Sequence, residues 1–72
     1  MIRITTHDEF AITRLFLEGK LAGEAVGELE RCWSKVSASS AAVSVDLTAV
    51  SFIDNKGKQL LTKMFENGTR LI

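Results

Sequence analysis

Apolar and polar residues alternate along this chain with a period that switches between two and about 3.6, and each switch marks an element. From Met1 to Thr6, Ile2 and Ile4 fall on one side and Arg3 and Thr5 on the other, which predicts a short strand. His7, Asp8 and Glu9 read as a polar turn. Phe10 to Glu18 reads as a second strand, dividing Thr13, Leu15 and Leu17 from Ile12, Arg14, Phe16 and Glu18. So short a link predicts an antiparallel hairpin. Gly19-Lys20 is expected to break the second strand.

From Ala22 to about Val36 the period becomes helical, with Val26, Leu29, Trp33 and Val36 as the core-facing stripe. Acids (Glu24, Glu28) precede bases (Arg31, Lys35), which suits the helix dipole. Gly27 costs such a helix about 1 kcal/mol against alanine, so a close backbone approach is expected there. Ser37 to Ala42 reads as a loop of small residues. Val43, Val45 and Leu47 then alternate with Ser44 and Asp46 as a central strand, and an apolar step, Val50 to Ile53, follows. After the polar turn Asp54-Asn55-Lys56-Gly57, a second helix from about Lys56 to Glu66 turns Leu60, Leu61, Met64 and Phe65 inward, with Gly57 one turn earlier on the same face. Asn67-Gly68 is a helix stop, and Thr69 to Ile72 starts a last strand.

The order strand–strand–helix–strand–helix–strand predicts a small α/β protein with a mixed β-sheet. If that sheet grows in one direction, right-handed crossovers put both helices on one face. Ile2, Ile4, Leu15, Leu17, Val43, Val45 and Leu47 would point at the helices. Arg3, Arg14, Glu18, Ser44, Asp46 and the apolar pair Ile12 and Phe16 would lie on the other face.

Length allows one small domain, residues 1–72, without an internal repeat. A chain of this size buries only roughly 60% of the surface its unfolded form exposes, so its core is marginal without help. No apolar run nears the ~18 residues that span a bilayer, and the N-terminus has no signal-peptide core, so cytoplasm is the expected compartment. A single cysteine forms no internal disulfide. Nine acidic and nine basic residues cancel, which disfavours nonspecific nucleic-acid binding and mildly favours self-association. The balance is uneven: residues 51–72 hold two acids (Asp54, Glu66) and four bases (Lys56, Lys58, Lys63, Arg70).

Candidate chemistry is sparse. His7, the one histidine, has no serine or cysteine at a spacing that suits nucleophilic catalysis. One histidine and one cysteine make no metal site. Cys32 and Trp33 read as packing residues of the first helix. Gly57-Lys58 has the end of a phosphate-binding loop, but the earlier glycine is missing and Gln59 stands where Ser or Thr is needed. Free N–H groups at this helix start, beside Lys56 and Lys58, could hold an anion, and Asp54 is positioned to cap the helix.

These residues together resemble a family. Val43 to Asp54 (Val-Ser-Val-Asp-Leu-Thr-Ala-Val-Ser-Phe-Ile-Asp), followed by Gly57, is similar to the signature of STAS domains. Such domains are shared by sulphate transporters and bacterial anti-sigma factor antagonists. Leu15 to Leu21, leading into a helix with Glu28-Leu29, resembles the family's strand–glycine–helix entry, and Asn67 to Ile72 resembles its helix exit and next strand. The resemblance implies a mixed sheet with helices packed on it, no enzymatic activity, no cofactor, and regulation by protein contact. In the antagonist branch, a Ser or Thr just before the glycine is phosphorylated by a partner kinase, which switches binding off. Here that position is Lys56 and the one before it is Asn55. Neither can take a phosphate on oxygen, and Lys56 brings +1 where a phosphoserine would bring roughly −2. STAS domains also usually continue for another helix. The chain is therefore expected to leave a sheet edge, or core around Phe65 and Leu71, uncovered.

The expected function is a non-enzymatic interaction module resembling anti-sigma factor antagonists, acting in transcription regulation without the usual phosphorylation. Its partner would be an anti-sigma factor or kinase-like regulator, bound through Asp54, Asn55, Lys56, Gly57 and Lys58. Alternatives are an accessory STAS subunit of a membrane transport complex for lipid or anion, and an anion- or nucleotide-sensing domain. A homodimer or domain-swapped pair is expected, with Ile12, Phe16 and Leu71 as dimer candidates.

Overall fold

The computed structural model describes residues 2–39 and 42–72. The start of the first predicted strand at Met1 and the middle of the predicted loop at Ser40 and Ala41 lie outside the described residues. Strand β1 (Ile2–Glu9) and strand β2 (Ile12–Leu21) form an antiparallel hairpin. Helix α1 (Glu24–Ser39) leads to strand β3 (Ala42–Ile53), and helix α2 (Asn55–Glu66) to the short strand β4 (Arg70–Leu71). The sheet order is β1-β2-β3-β4, with β3 parallel to both β2 and β4. The sheet thus grows in one direction, and both helices contribute to one core: Leu15, Leu17 and Val45 from the sheet, Leu29 and Trp33 from α1, and Leu60, Leu61 and Met64 from α2.

Several boundaries differ from the sequence pattern. His7, Asp8 and Glu9 are not a turn but the end of β1, paired as far as Glu9 with Ile12. Asp8 points to the helix side, where its carboxylate accepts a 2.8 Å hydrogen bond from the hydroxyl of buried Thr13. The hairpin closes instead through Phe10 and Ala11. Phe10 takes a φ of +57°, a conformation bulky side chains rarely adopt, and its ring is fully exposed. Gly19-Lys20 does not end β2, which runs to Leu21; the irregularity falls in the pairing with β3. There the register slips twice, because β3 spends one extra residue between Asp46 and Ala49 and another at Ser51. Side chains serve both bulges: Asp46 accepts from the Thr48 N–H at 2.8 Å, and the Ser51 hydroxyl donates to the Gly19 carbonyl at 3.2 Å. The two apolar segments of the central region are therefore one continuous strand.

Helix α1 begins two residues later than the pattern predicts and runs through Ser37 to Ser39, which the sequence suggests as loop. Its buried stripe is Ala25, Leu29 and Trp33, while Val26, Cys32 and Val36 flank it half-buried. The Trp33 indole N–H donates to the buried Thr69 hydroxyl at 2.9 Å, tying α1 to the chain entering β4. Gly27 makes no close backbone approach: a Cβ there would meet only the Arg31 guanidinium, at 3.6 Å. On α2 the inward residues are Gly57, Leu60, Leu61 and Met64. Phe65 is not part of this face; it lies one position past the stripe and is 65% exposed. Gly68, at φ +91°, lets the chain leave the helix in a Schellman arrangement, with its N–H on the Phe65 carbonyl and that of Thr69 on the Met64 carbonyl.

On the face away from the helices, Ser44 is buried rather than exposed. It sits between Arg14 and Arg70 on the neighbouring strands, a short side chain flanked by two long ones. Among the described residues, no helix is long and apolar enough to cross a membrane.

Candidate functional site

β2 and β3 are parallel, so their C-terminal ends reach the same end of the sheet and deliver the turns into α1 and α2 side by side. Asp54 joins those turns. It leaves β3 in an extended conformation (φ −82°, ψ 179°) and acts as the N-cap of α2, where one carboxylate oxygen accepts from the Gly57 N–H at 2.7 Å. The other oxygen accepts from the Gly23 N–H at 3.0 Å, at the entry to α1. The Asp54 backbone N–H donates to the Leu21 carbonyl at 3.1 Å, and its carbonyl accepts from Lys58 N–H at 2.9 Å. These bonds, first that from Gly23 and then that from Gly57, hold the carboxyl below the ordinary aspartate range, with the positive charge of Lys56 adding to them.

Gly57 is buried at the foot of α2. A Cβ there would lie 2.8 Å from the Leu21 carbonyl oxygen and 2.9 Å from Ile53 Cγ2, so only glycine lets the helix seat this closely on the end of β2. Asn55, Lys56 and Lys58 are exposed around it. The first turn of α2 has no acidic residue, so the capping Asp54 carboxylate is set against two bases, Lys56 and Lys58, at the positive end of the helix dipole. Lys56 also borders a shallow groove between the helices, lined by Val26, Glu30, Gln59, Leu60 and Lys63. Across this groove Lys63 and Glu30 approach to 3.8 Å, a contact between two exposed side chains that adds little stability.

The five residues singled out in the sequence are brought together, but they divide by role: Asp54 and Gly57 shape the turn, and Asn55, Lys56 and Lys58 are available for contact. Gly23 is the member that sequence reasoning missed. Its link to Asp54 spans 31 positions, and no local spacing signals it. The three dimer candidates do not share a surface. Ile12 and Phe16 lie on the open face of the sheet, whereas Leu71 pairs with Val45 and packs half-buried against the core on the helix side. Phe16 is half-buried, with the His7 ring edge-on at 5.4 Å and the Arg14 guanidinium 5.9 Å from its ring centre. Cys32 is half-buried beside the core. Among the described residues, no group of three or more His, Cys, Asp or Glu side chains could hold a metal ion.

No family model matches the sequence, and no curated protein is significantly similar to it. Solved structures do share the arrangement. An anti-sigma factor antagonist from Mycobacterium paratuberculosis superposes with a TM-score of 0.85 at 22% identity, over 99% of this chain and 66% of its own. The anti-sigma factor antagonist SpoIIAA in its unphosphorylated form gives 0.76 at 18% identity, over 96% of this chain and 71% of its own. A third structure, Mglu, gives 0.76 at 18% identity and covers 93% of this chain but only 18% of its own length. The chain thus spans about two thirds of the first of these proteins. Its fold, a mixed four-stranded sheet in the order β-β-α-β-α-β with two helices on it, is the STAS-like fold of the anti-sigma factor antagonists.

Proposed function

We propose that this chain is a non-enzymatic regulatory module that binds a protein partner of the anti-sigma or kinase-like kind through the exposed residues at the start of α2. The observation that carries this reading is the turn itself. In the STAS-like fold it presents Asn55, Lys56 and Lys58 outward on a helix start fixed by Asp54 and Gly57, with no acidic residue in its first turn. A surface of two lysines over a rigid cap suits contact with an acidic partner surface, where charge sets encounter rate and orientation.

Lys56 stands where the family resemblance puts the phosphorylated hydroxyl, so the contact would not be switched off by phosphate at that position. Lys56 already carries the sign opposite to phosphate, and the module is read as constitutively competent for its partner. Calorimetry with a purified kinase-type anti-sigma factor from the same genome tests this. Lys56→Glu is expected to weaken binding by about tenfold or more through like-charge juxtaposition, while Glu66→Gln at the far end of α2 leaves it unchanged. Equal affinity of wild type and Lys56→Glu would remove this surface from the interface.

A further inference from the structure

Strand register lines up one row of side chains across the open face of the sheet. His7 on β1 pairs with Arg14 on β2, Arg14 with Ser44 on β3, and Ser44 with Arg70 on β4. Ser44 is the low point of that row. It is only 7% exposed, yet its hydroxyl has no hydrogen-bond partner among the described residues. No sealed side-chain oxygen among them lacks a partner, so the Ser44 hydroxyl opens to solvent between the two arginines. There it lines a depression of about 330 Å³ with Arg14, Arg70 and the exposed apolar side chains Ile12 and Ile72. The geometry points to this depression as a binding site for a small phosphate monoester that carries an apolar group.

The donors select this ligand. Neighbouring strands lie about 4.8 Å apart, so the strands bearing Arg14 and Arg70 are about 10 Å apart with Ser44 midway. Two guanidiniums leaning in from opposite sides and a hydroxyl from below offer hydrogen bonds from three directions. That set fits a tetrahedral oxyanion better than a planar carboxylate, and two positive charges match a dianion. Ile12, two positions before Arg14, and Ile72, two positions after Arg70, give the organic group of an ester apolar surface on either side.

Competing contacts at the site are weak. Arg70 is in no ion pair among the described residues. Arg14 leans along β2, its guanidinium 5.9 Å from the Phe16 ring centre and close enough to Asp46 to help lower that carboxyl. Neither contact fixes it. Hydrogen bonds from Thr48 act on Asp46 more strongly than Arg14 does, Arg14 and Asp46 form no ion pair, and an exposed cation–π contact is readily exchanged. A dianion over Ser44 draws the Arg14 guanidinium back through charge-assisted bonds. Asp46, two positions along β3 from Ser44, is the main opposing charge, and its carboxylate is already turned to the Thr48 N–H of the bulge. Glu9 stands on β1, two strands from Ser44, and Glu18 lies four positions along β2 from Arg14.

Amide NMR titration of the full chain with phenyl phosphate tests the proposal, at constant ionic strength and about pH 7.5, where a phosphate monoester is mostly dianionic. Wild type should show saturable shifts centred on Ser44 and Arg70, with a dissociation constant of about 1 mM. Inorganic phosphate, which lacks the apolar group, and benzoate, a planar monoanion, should both bind more weakly. Arg70→Gln should raise the dissociation constant by about tenfold or more and Ser44→Ala by about threefold, since one loses a charged donor and the other a neutral one. Lys35→Gln, on the exposed side of α1, should leave it unchanged, and the same spectra show whether each variant is folded. Four results would each overturn the site: no saturation by about 20 mM, shifts centred on Gly57 at the start of α2, benzoate or inorganic phosphate binding as tightly as phenyl phosphate, or Arg70→Gln and Ser44→Ala binding like Lys35→Gln.

Discussion

At the scale of single residues, Asp54 does the most with the least. The sequence shows an acid three positions before Gly57, and that spacing is enough to read an N-cap. What it does not show is the second oxygen, which reaches Gly23 in the other helix entry. A carboxylate with two backbone donors prefers its charged form, and the Asp54 carboxyl is lowered accordingly, by Gly23 first and Gly57 second. Asp46 is lowered in the same sense by its bonds from Thr48. The sign for folding follows from linkage. A carboxyl whose folded value lies below its unfolded one stabilises the fold fully above the unfolded range, near pH 4, and loses that contribution as pH falls through the folded value. Urea midpoints should therefore drop between about pH 6 and about pH 3, and Asp54→Asn should flatten that slope while lowering the midpoint at neutral pH. A variant whose pH dependence matched wild type would mean that the clamp is not coupled to folding.

At the scale of elements, hydrophobic period was enough to identify every helix and strand and their order, because each long element buries one face. It was less informative wherever a turn or bulge is held by a remote partner. The hairpin loop is two residues long at Phe10 and Ala11 because pairing extends to Glu9 and Ile12, a matter of register rather than composition. β3 stays continuous across its two bulges because Asp46 and Ser51 satisfy backbone groups there. The glycines of the two helices show the same limit. Both stand in helical patterns where glycine costs stability, but only Gly57 is required by its neighbours. Gly27→Ala should raise stability by about 1 kcal/mol, the usual propensity gain. Gly57→Ala forces its Cβ against a backbone oxygen and should cost about 1–3 kcal/mol, with the start of α2 displaced. Denaturant unfolding of the two variants side by side checks this, and a shift of the same sign in both would contradict the contact geometry.

At the scale of the whole molecule, one apolar layer between the helices and the sheet has to hold 72 residues together. At about 0.05–0.15 kcal/mol per residue, such a chain has a total stability of about 4–11 kcal/mol. Leu29 sits at the middle of that layer, fully buried on α1 among residues from the sheet and α2. Leu29→Ala should remove about 2–5 kcal/mol, a large share of the whole, because the rigid sheet behind it cannot collapse into the space. The sequence pattern places Phe65 in the same layer, yet its exposure means that its ring contributes little there. Phe65→Ala is expected within about 0.5 kcal/mol of wild type, the range of ordinary surface substitutions. Equilibrium unfolding in urea, with m-values compared to confirm two-state behaviour, separates the two outcomes. Comparable losses in both variants would put Phe65 in the folding core after all, and would imply that the outer side of α2 is covered in solution.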